Sequence, residues 1–272
     1  MNILVTGGAG FIGSALVKKL LLNKDNYIVV VDDLSTGYMS NLPEEMSNYK
    51  FIKADVNEYK EISQIMLAYN FDYVFHYAAV VGVERTLANP MKVLRDIHGI
   101  ENILLLSKNT NVKRIFFSSS SEVYGEPVEF PQNEVTTPLN SRLPYAIIKN
   151  AGEAFIKSYY KEYKLNYTIF RFFNTYGPCQ TDDFVISKFI KAALRCDDII
   201  IYGDGTQSRT FCYIDDNIDS TLAAFYNNKY VNDVVNIGSD IEVSIKDLAN
   251  IIIKLTKSKS RIIHVPPLPE GD

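Results

Sequence analysis

The chain opens on an apolar run, Asn2-Ile3-Leu4-Val5-Thr6. Glycines follow at 7, 8, 10 and 13, and then comes a helical pattern in which Ile12, Leu16, Val17 and Leu20 share one face. A short continuous apolar run closed by a turn predicts a strand covered on both sides. The same alternation recurs along the first half. Residues 27–31 predict a second strand, ending at Asp32-Asp33. Residues 51–55 predict a third, with Asn57 set to cap the helix behind it, and residues 72–76 a fourth that leads into Tyr77-Ala78-Ala79. A helical pattern runs unbroken through residues 90–108. It is followed by a fifth strand from residue 114 to 117, a helix over 145–163 and a sixth strand over 167–173. Strands alternating with helices predict an α/β fold, a doubly wound parallel sheet with helices on both faces.

Two stretches break the rhythm. Residues 125–144 hold Pro127, Pro131, Pro138 and Pro144 and show no periodicity, and a loop of that length inside a compact domain carries function more often than not. After Gly177 the elements become shorter, which divides the chain into a first domain over residues 1–176 and a smaller lobe over 177–272. In that lobe Ser244-Ile245-Lys246-Asp247 forms a capping box that opens a helix with Leu248, Ile252 and Leu255 on its inner face. Residues 264–272 read as the middle of a loop, so a longer natural chain is expected.

Composition narrows the function. With 28 basic and 32 acidic residues the net charge is −4, which gives no electrostatic reason to expect nucleic acid or an anionic membrane surface. Phosphate binding must therefore come from local groups. The three cysteines, Cys179, Cys196 and Cys212, lack metal-ligand spacing and fit reduced thiols in a cytoplasmic protein, and three scattered histidines argue for no metal site. No signal peptide opens the chain, and no apolar run approaches the ~20 residues of a membrane span.

The candidate chemistry begins at the first turn. Gly7 can take the tight bend, Gly10 lets the backbone approach a pyrophosphate, and Gly13 lets helix and strand pack closely, while the N-terminus of the helix offers N–H groups to the phosphates. Asp32, or its neighbour Asp33, ends the second strand where a carboxylate can accept hydrogen bonds from a ribose. A carboxylate there repels a 2′-phosphate, so NAD is favoured over NADP. Tyr145 and Lys149 stand one helical turn apart on one face, and a nearby cation favours phenolate, so the pair suits general acid/base work on a hydroxyl. With 18 tyrosines the spacing also occurs at Tyr49/Lys53 and Tyr160/Lys164. What selects Tyr145 is the serine run Ser118-Ser119-Ser120-Ser121-Glu122 at the end of the fifth strand, where ligands of open parallel sheets bind.

Taken together, Thr6–Gly13, His76–Ala79, Ser118–Gly125, Tyr145/Lys149, Arg171–Pro178 and Gly203–Asp216 resemble the extended short-chain dehydrogenase/reductases that act on nucleotide sugars. The resemblance implies a Rossmann-type fold, a tightly held NAD and oxidation of the sugar at C4. It implies that Ser120 is the catalytic hydroxyl, Tyr145 the base and Lys149 its lysine. NAD contacts are implied at Gly7, Gly10, Phe11, Ile12, Gly13, Asp32, Asp33, Asp55, Val56, Ala78 and Ala79, besides Tyr145 and Lys149. Substrate contacts are implied at Ser120, at Asn174 and at Arg209, the latter two on the diphosphate. A homodimer through residues 90–108 and 145–163 is implied as well. Three departures matter. The 4,6-dehydratases carry Asp-Glu after the catalytic hydroxyl, and Ser121-Glu122 stands here. The triplet Ser120-Ser121-Glu122 resembles that of UDP-glucuronate decarboxylases, which makes Glu122 a catalytic candidate, whereas Val80-Val81-Gly82-Val83-Glu84-Arg85-Thr86 resembles the epimerase loop. The family also continues past Asp272 into an arginine-bearing segment. The leading expectation is an NAD-dependent 4-epimerase acting on a UDP-sugar, ahead of decarboxylation of a UDP-uronate, a dehydratase and a non-catalytic NAD-binding protein.

Overall fold

In a parallel sheet with helices on both sides every strand is buried twice, and the strand residues alternate between two cores rather than between core and water. A computed structural model of the chain, which describes residues 1–44 and 46–267, has this arrangement. Its main sheet holds β1 (Asn2–Thr6), β2 (Tyr27–Asp32), β3 (Tyr49–Lys53), β4 (Tyr73–His76), β5 (Arg114–Ser120) and β6 (Tyr167–Phe172). Between them run α1 (Phe11–Leu20), α2 (Tyr59–Tyr69), α3 (Val83–Ala88), α4 (Pro90–Leu94), α5 (Asp96–Asn109) and α6 (Pro144–Tyr163). Leu4, Val29, Val74, Ile115, Phe117 and Ile169 face one core with α2, α5 and α6. Ile3, Val5, Ile28, Val30, Phe75, Phe116 and Phe170 face the other, with α1.

The later elements are β7 (Thr175–Tyr176), α7 (Val185–Arg195), β8 (Ile199–Tyr202), β9 (Ser208–Thr210), β10 (Cys212–Tyr213), α8 (Ile214–Tyr226), β11 (Asp233–Ile237), β12 (Glu242–Ser244), α9 (Ile245–Thr256) and β13 (Ile262–Val265). They do not all form a second lobe. Strand β11 pairs in parallel with β6 and completes a seven-stranded sheet of order β11-β6-β5-β4-β1-β2-β3. Helix α8 lies against α1, and its Phe225 meets Phe75 and Phe116 edge-on at centroid distances of 5.4 and 5.3 Å. The smaller layer is built from α7, α9 and three two-stranded pairs, over a core of Ile186, Phe189, Ile199, Ile201, Leu248 and Ile252. The chain thus crosses back from the small layer to the large one before residue 237.

Several local expectations shift. The third strand starts at Tyr49 and ends at Lys53. Asn57 does not cap α2. Its Oδ1 accepts the N–H of Gly99 at 2.9 Å, tying the β3–α2 turn to α5, and Glu58 holds the cap position without a side-chain bond. The helical pattern over 90–108 divides at Arg95 into α4 and α5. Ser244 caps α9 as the capping box predicts, its Oγ accepting the N–H of Asp247 at 3.0 Å. Ile245, Leu248, Ala249 and Ile252 form the buried face, but Leu255, in the last turn, is 76% exposed. The loop of residues 125–144 holds no helix or strand until Pro144, the first residue of α6.

The β1–α1 turn is packed backbone against backbone. Gly7 sits at φ +70°, and a Cβ on Gly13 would lie 2.2 Å from the Gly7 carbonyl oxygen. Backbone cannot yield there as a side-chain tip can. Gly13→Ala is expected to destabilise the fold by roughly 1–3 kcal/mol, measured as a lower urea midpoint with an unchanged slope.

Candidate active site

The carboxyl ends of the parallel strands open into a cavity of about 800 Å³ between the main sheet and the smaller layer. The expected cofactor residues Gly7, Gly10, Phe11, Ile12, Gly13, Asp32, Asp33, Asp55, Val56, Ala78 and Ala79 line it, as do Ser120, Glu122, Tyr145, Lys149, Asn174 and Arg209. The glycine turn follows β1, whose neighbours β2 and β4 lie on opposite sides, so the turn stands where the winding of the sheet reverses.

Helix α1 begins at the cavity with Gly10 as its cap residue, no side-chain cap and no acid in its first turn. Its leading N–H groups are suited to an anion. Asp32 has a structural task as well as a position on the wall. Its Oδ2 accepts the N–H of Ala9 at 2.9 Å and its Oδ1 that of Leu34 at 2.8 Å, so one carboxylate braces the glycine turn against β2. Burial raises its pKa, and those two backbone bonds oppose the shift. Asp33, more exposed, accepts the N–H of Ser35 at 2.8 Å. Asp55 accepts the N–H of Asn57 at 2.8 Å.

At the other end α6 presents Tyr145 and Lys149 on the face that looks toward β5. Ser120, the last residue of β5, lines the cavity with Tyr145 and acts on its phenol. Its Oγ accepts the N–H of Glu122 at 3.2 Å and starts the 3₁₀ turn Ser121–Tyr124. Lys149 is buried, and its ammonium donates to the Ser118 carbonyl at 2.6 Å. Burial pulls it down to about 8, against the attraction of Asp96. The chain's own groups do not lower the phenol as the spacing suggested. Burial is the largest influence and raises Tyr145 well above the ordinary tyrosine range; the Ser120 hydroxyl lowers it, and Glu122 and Asp96 raise it further. Glu122 lines the cavity with its side chain exposed to the open space there. Burial raises it, and Arg209 works the other way. Arg209 donates from Nη1 to the Ser208 carbonyl at 2.9 Å, and Asn174 donates from Nδ2 to the Thr210 carbonyl at 2.9 Å, which brings β9 to the cavity rim.

Asp96 carries no signal in the sequence pattern. It lines the cavity, accepts the N–H of Val80 at 2.7 Å and is raised by burial, with Lys149 opposing. Arg85 bonds Asp183 at 2.8 Å and so joins the 80–88 segment to the smaller layer. Glu153 and Arg171 form a buried ion pair directly behind the serine run. Arg171 opens the Arg171–Pro178 stretch, and Glu153 stands a helical turn beyond Lys149 on the same face of α6, but neither pattern showed that the two would pair. Among the described residues no group of side chains could hold a metal ion, and no helix is long and apolar enough to cross a membrane.

A sequence profile described as "NAD dependent epimerase/dehydratase family" matches residues 3–238. The chain belongs to that family. It is 36% identical to a UDP-N-acetyl-alpha-D-glucosaminuronate decarboxylase of Bacillus cytotoxicus, over 97% of this chain and 83% of the relative. The crystal structure of a UDP-glucose 4-epimerase from Thermotoga maritima, with UDP-glucose, superposes with a TM-score of 0.93 at 33% identity, covering 99% of this chain and 87% of that one. A UDP-N-acetylglucosamine 4-epimerase from Methanobrevibacter ruminantium superposes with a TM-score of 0.91 at 34% identity, covering 99% and 86%. The chain is therefore an enzyme of the nucleotide-sugar epimerase and decarboxylase group, with NAD as its cofactor. The uncapped start of α1 and the close-packed glycine turn beside it fit that group, offering N–H donors where a diphosphate needs them.

The enzyme's His76 lies below the site. Its Nδ1 is 2.8 Å from Thr6 Oγ1, and burial, helped by the Lys149 charge, depresses it to about 3. The unfolded chain takes up a proton below about pH 6.5 that the fold refuses, so stability is present above that pH and drains away toward pH 3. His76→Asn is expected to lose less melting temperature than the wild type between about pH 7 and about pH 4, as calorimetry at both values measures.

Proposed function

We propose that this enzyme is a nucleotide-sugar 4-epimerase, with a UDP-sugar as substrate and Tyr145 as its acid/base. The observation that carries the reading is the convergence of Ser120, Tyr145 and Lys149 on one cavity of about 800 Å³ that the glycine turn, Asn174 and Arg209 also line. NAD supplies reversible hydride exchange at C4 of the sugar. Tyr145 takes the C4 hydroxyl proton through or beside Ser120, Lys149 holds the Ser118 carbonyl and keeps a positive charge under the cofactor end, and Tyr145 returns the proton when the sugar has turned over. Asp32 and Asp33 would receive the adenosine ribose, the first turn of α1 the pyrophosphate, and Asn174 and Arg209 the diphosphate of the sugar. Val80–Thr86 supports an epimerase, and Ser121 in place of an aspartate leaves dehydration without its proton donor.

Decarboxylation of a UDP-uronate is the second reading, favoured by Glu122. A carboxyl that burial raises can hold a proton for the carbon left behind when carbon dioxide departs. The same proposal includes a cytoplasmic setting and a homodimer through α4, α5 and α6, whose outer sides expose Leu105 and Tyr163.

Mass spectrometry of UDP-sugars incubated with enzyme and NAD separates the readings. A product of unchanged mass supports epimerisation. Loss of carbon dioxide from UDP-glucuronate overturns it in favour of the second, and Glu122→Gln should then stop the reaction. Tyr145→Phe is expected to lower turnover by roughly 10²–10⁴-fold with NAD affinity, measured by calorimetry, essentially unchanged. Equal losses of turnover and NAD binding would count against Tyr145 as the acid/base.

A further inference from the structure

Behind the serine run lies a set of groups that the proposed reaction does not use. Glu153 and Arg171 are each 1% exposed, and their ion pair is double: Arg171 Nε donates to Glu153 Oε1 at 2.9 Å and Nη2 to Oε2 at 2.7 Å. Besides Lys157 Nζ at 3.5 Å from Glu153 Oε2 and the Glu134 carbonyl at 3.5 Å from Arg171 Nη1, two shorter bonds leave the pair in opposite directions. Ser119 Oγ donates to Glu153 Oε1 at 2.7 Å, and Arg171 Nη1 donates to the Tyr124 phenol oxygen at 2.7 Å, with the guanidinium also over the Tyr124 ring. Tyr124 in turn donates to Asn236 Oδ1 of β11 at 2.7 Å.

Ser119 directly precedes Ser120, and Tyr124 ends the 3₁₀ turn that begins after it. Both ends of the turn carrying Ser120 and Glu122 therefore hang on one carboxylate, the near end directly and the far end through Arg171. That carboxylate stands on α6, the helix that carries Tyr145 and Lys149. We propose that Glu153 is a positioning residue, which sets the serine turn in register with Tyr145 by gripping Ser119 on one side and the Arg171–Tyr124 arm on the other. A buried carboxylate is suited to this. Left without partners it is costly, so it holds its donors in one geometry rather than several. A glutamine in its place offers one oxygen and an NH₂ that faces donors, and cannot grip both arms.

The inference rests on the catalytic reading of Ser120 and Tyr145, and its test does not depend on the identity of the sugar. Tyr145 is faced by Ser120 and Glu122 from the turn, by Asp96 from α5 and by Lys149 on its own helix. Of these Ser120 is the influence that lowers its pKa. Loosening the turn should move Ser120 away from the phenol and shift the tyrosine limb of the pH–kcat/KM profile upward. The variant of choice is Ser119→Ala, which removes one arm and leaves the ion pair intact; Glu153→Gln removes the pair and serves as the second variant. Ser119→Ala is expected to lower kcat by up to roughly 100-fold, with KM, NAD affinity and melting temperature near wild type and the pH limb displaced upward. The carbon shift of the Tyr145 hydroxyl-bearing ring atom, assigned by its loss in Tyr145→Phe, is expected to move in both variants without any turnover. A merely structural Glu153 would lower the melting temperature and leave both the pH limb and the Tyr145 signal where they were, and that result overturns the proposal. If the wild type converts none of the sugars while the Tyr145 signal moves as expected, the reaction assignment fails and the positioning role stands.

Discussion

Because all seven main strands run the same way, the chain must return to one end of the sheet after each of them. The cost of that topology is a helix or long segment per connection. Its consequence is that seven strand ends and the turns beyond them collect along a single edge. Polar residues gather in the last rungs of the ladder: Thr6, Asp32, His76 and Ser118–Ser120. The edge is split at β1, where neighbours wound in opposite directions leave a crevice between their connections. The glycine turn sits there, and its closeness to the β4 edge leaves room for no Cβ on Gly7, which would meet Ala78 at 2.6 Å.

Charge at that edge is managed by pairing rather than by water. Lys149 gives its ammonium to a carbonyl, Asp32 gives both oxygens to backbone N–H groups, and Asp96 takes the Val80 N–H. Each shift follows from whether these bonds outweigh burial. In Asp32, Asp96 and Glu122 burial wins and the carboxyl is raised. In Glu153, with a guanidinium and a hydroxyl on it, the partners win and the pKa is lowered. A buried ion pair contributes little net stability once desolvation is counted. Its value here is geometric, since a pair with every oxygen engaged has one arrangement.

The smaller layer faces this edge across the cavity and does not hang from it by a single linker. Helix α8 and strand β11 carry the chain back into the large layer, and Arg85 and Asp183 join the two near the mouth. The reacting groups and the side chains that would receive the nucleotide sugar are thus held on opposite walls of one frame. Relatives named as a decarboxylase and as an epimerase both match this chain over nearly its whole length, and under the proposed function Glu122 is the wall residue on which the two readings part.

What the sequence determined by itself is local. Apolar runs of strand length, helical periodicity, the Gly7–Gly13 spacing, the Tyr145–Lys149 turn and the Ser244 cap all act between residues a few positions apart, so they are legible without knowing where the chain goes next. The sites along the strand ends were legible for the same reason, because a parallel sheet obliges those ends to meet. Contacts between distant segments were left to the tertiary structure. Asn57 reaches Gly99 instead of its own helix, Leu255 lies in a last turn that nothing covers, and β11 joins β6 after the chain has visited the other layer. Asp96 and Arg171 look like ordinary helix and strand charges until the fold encloses them. A side chain's burial and partners are properties of the whole packing, and no window of sequence contains them.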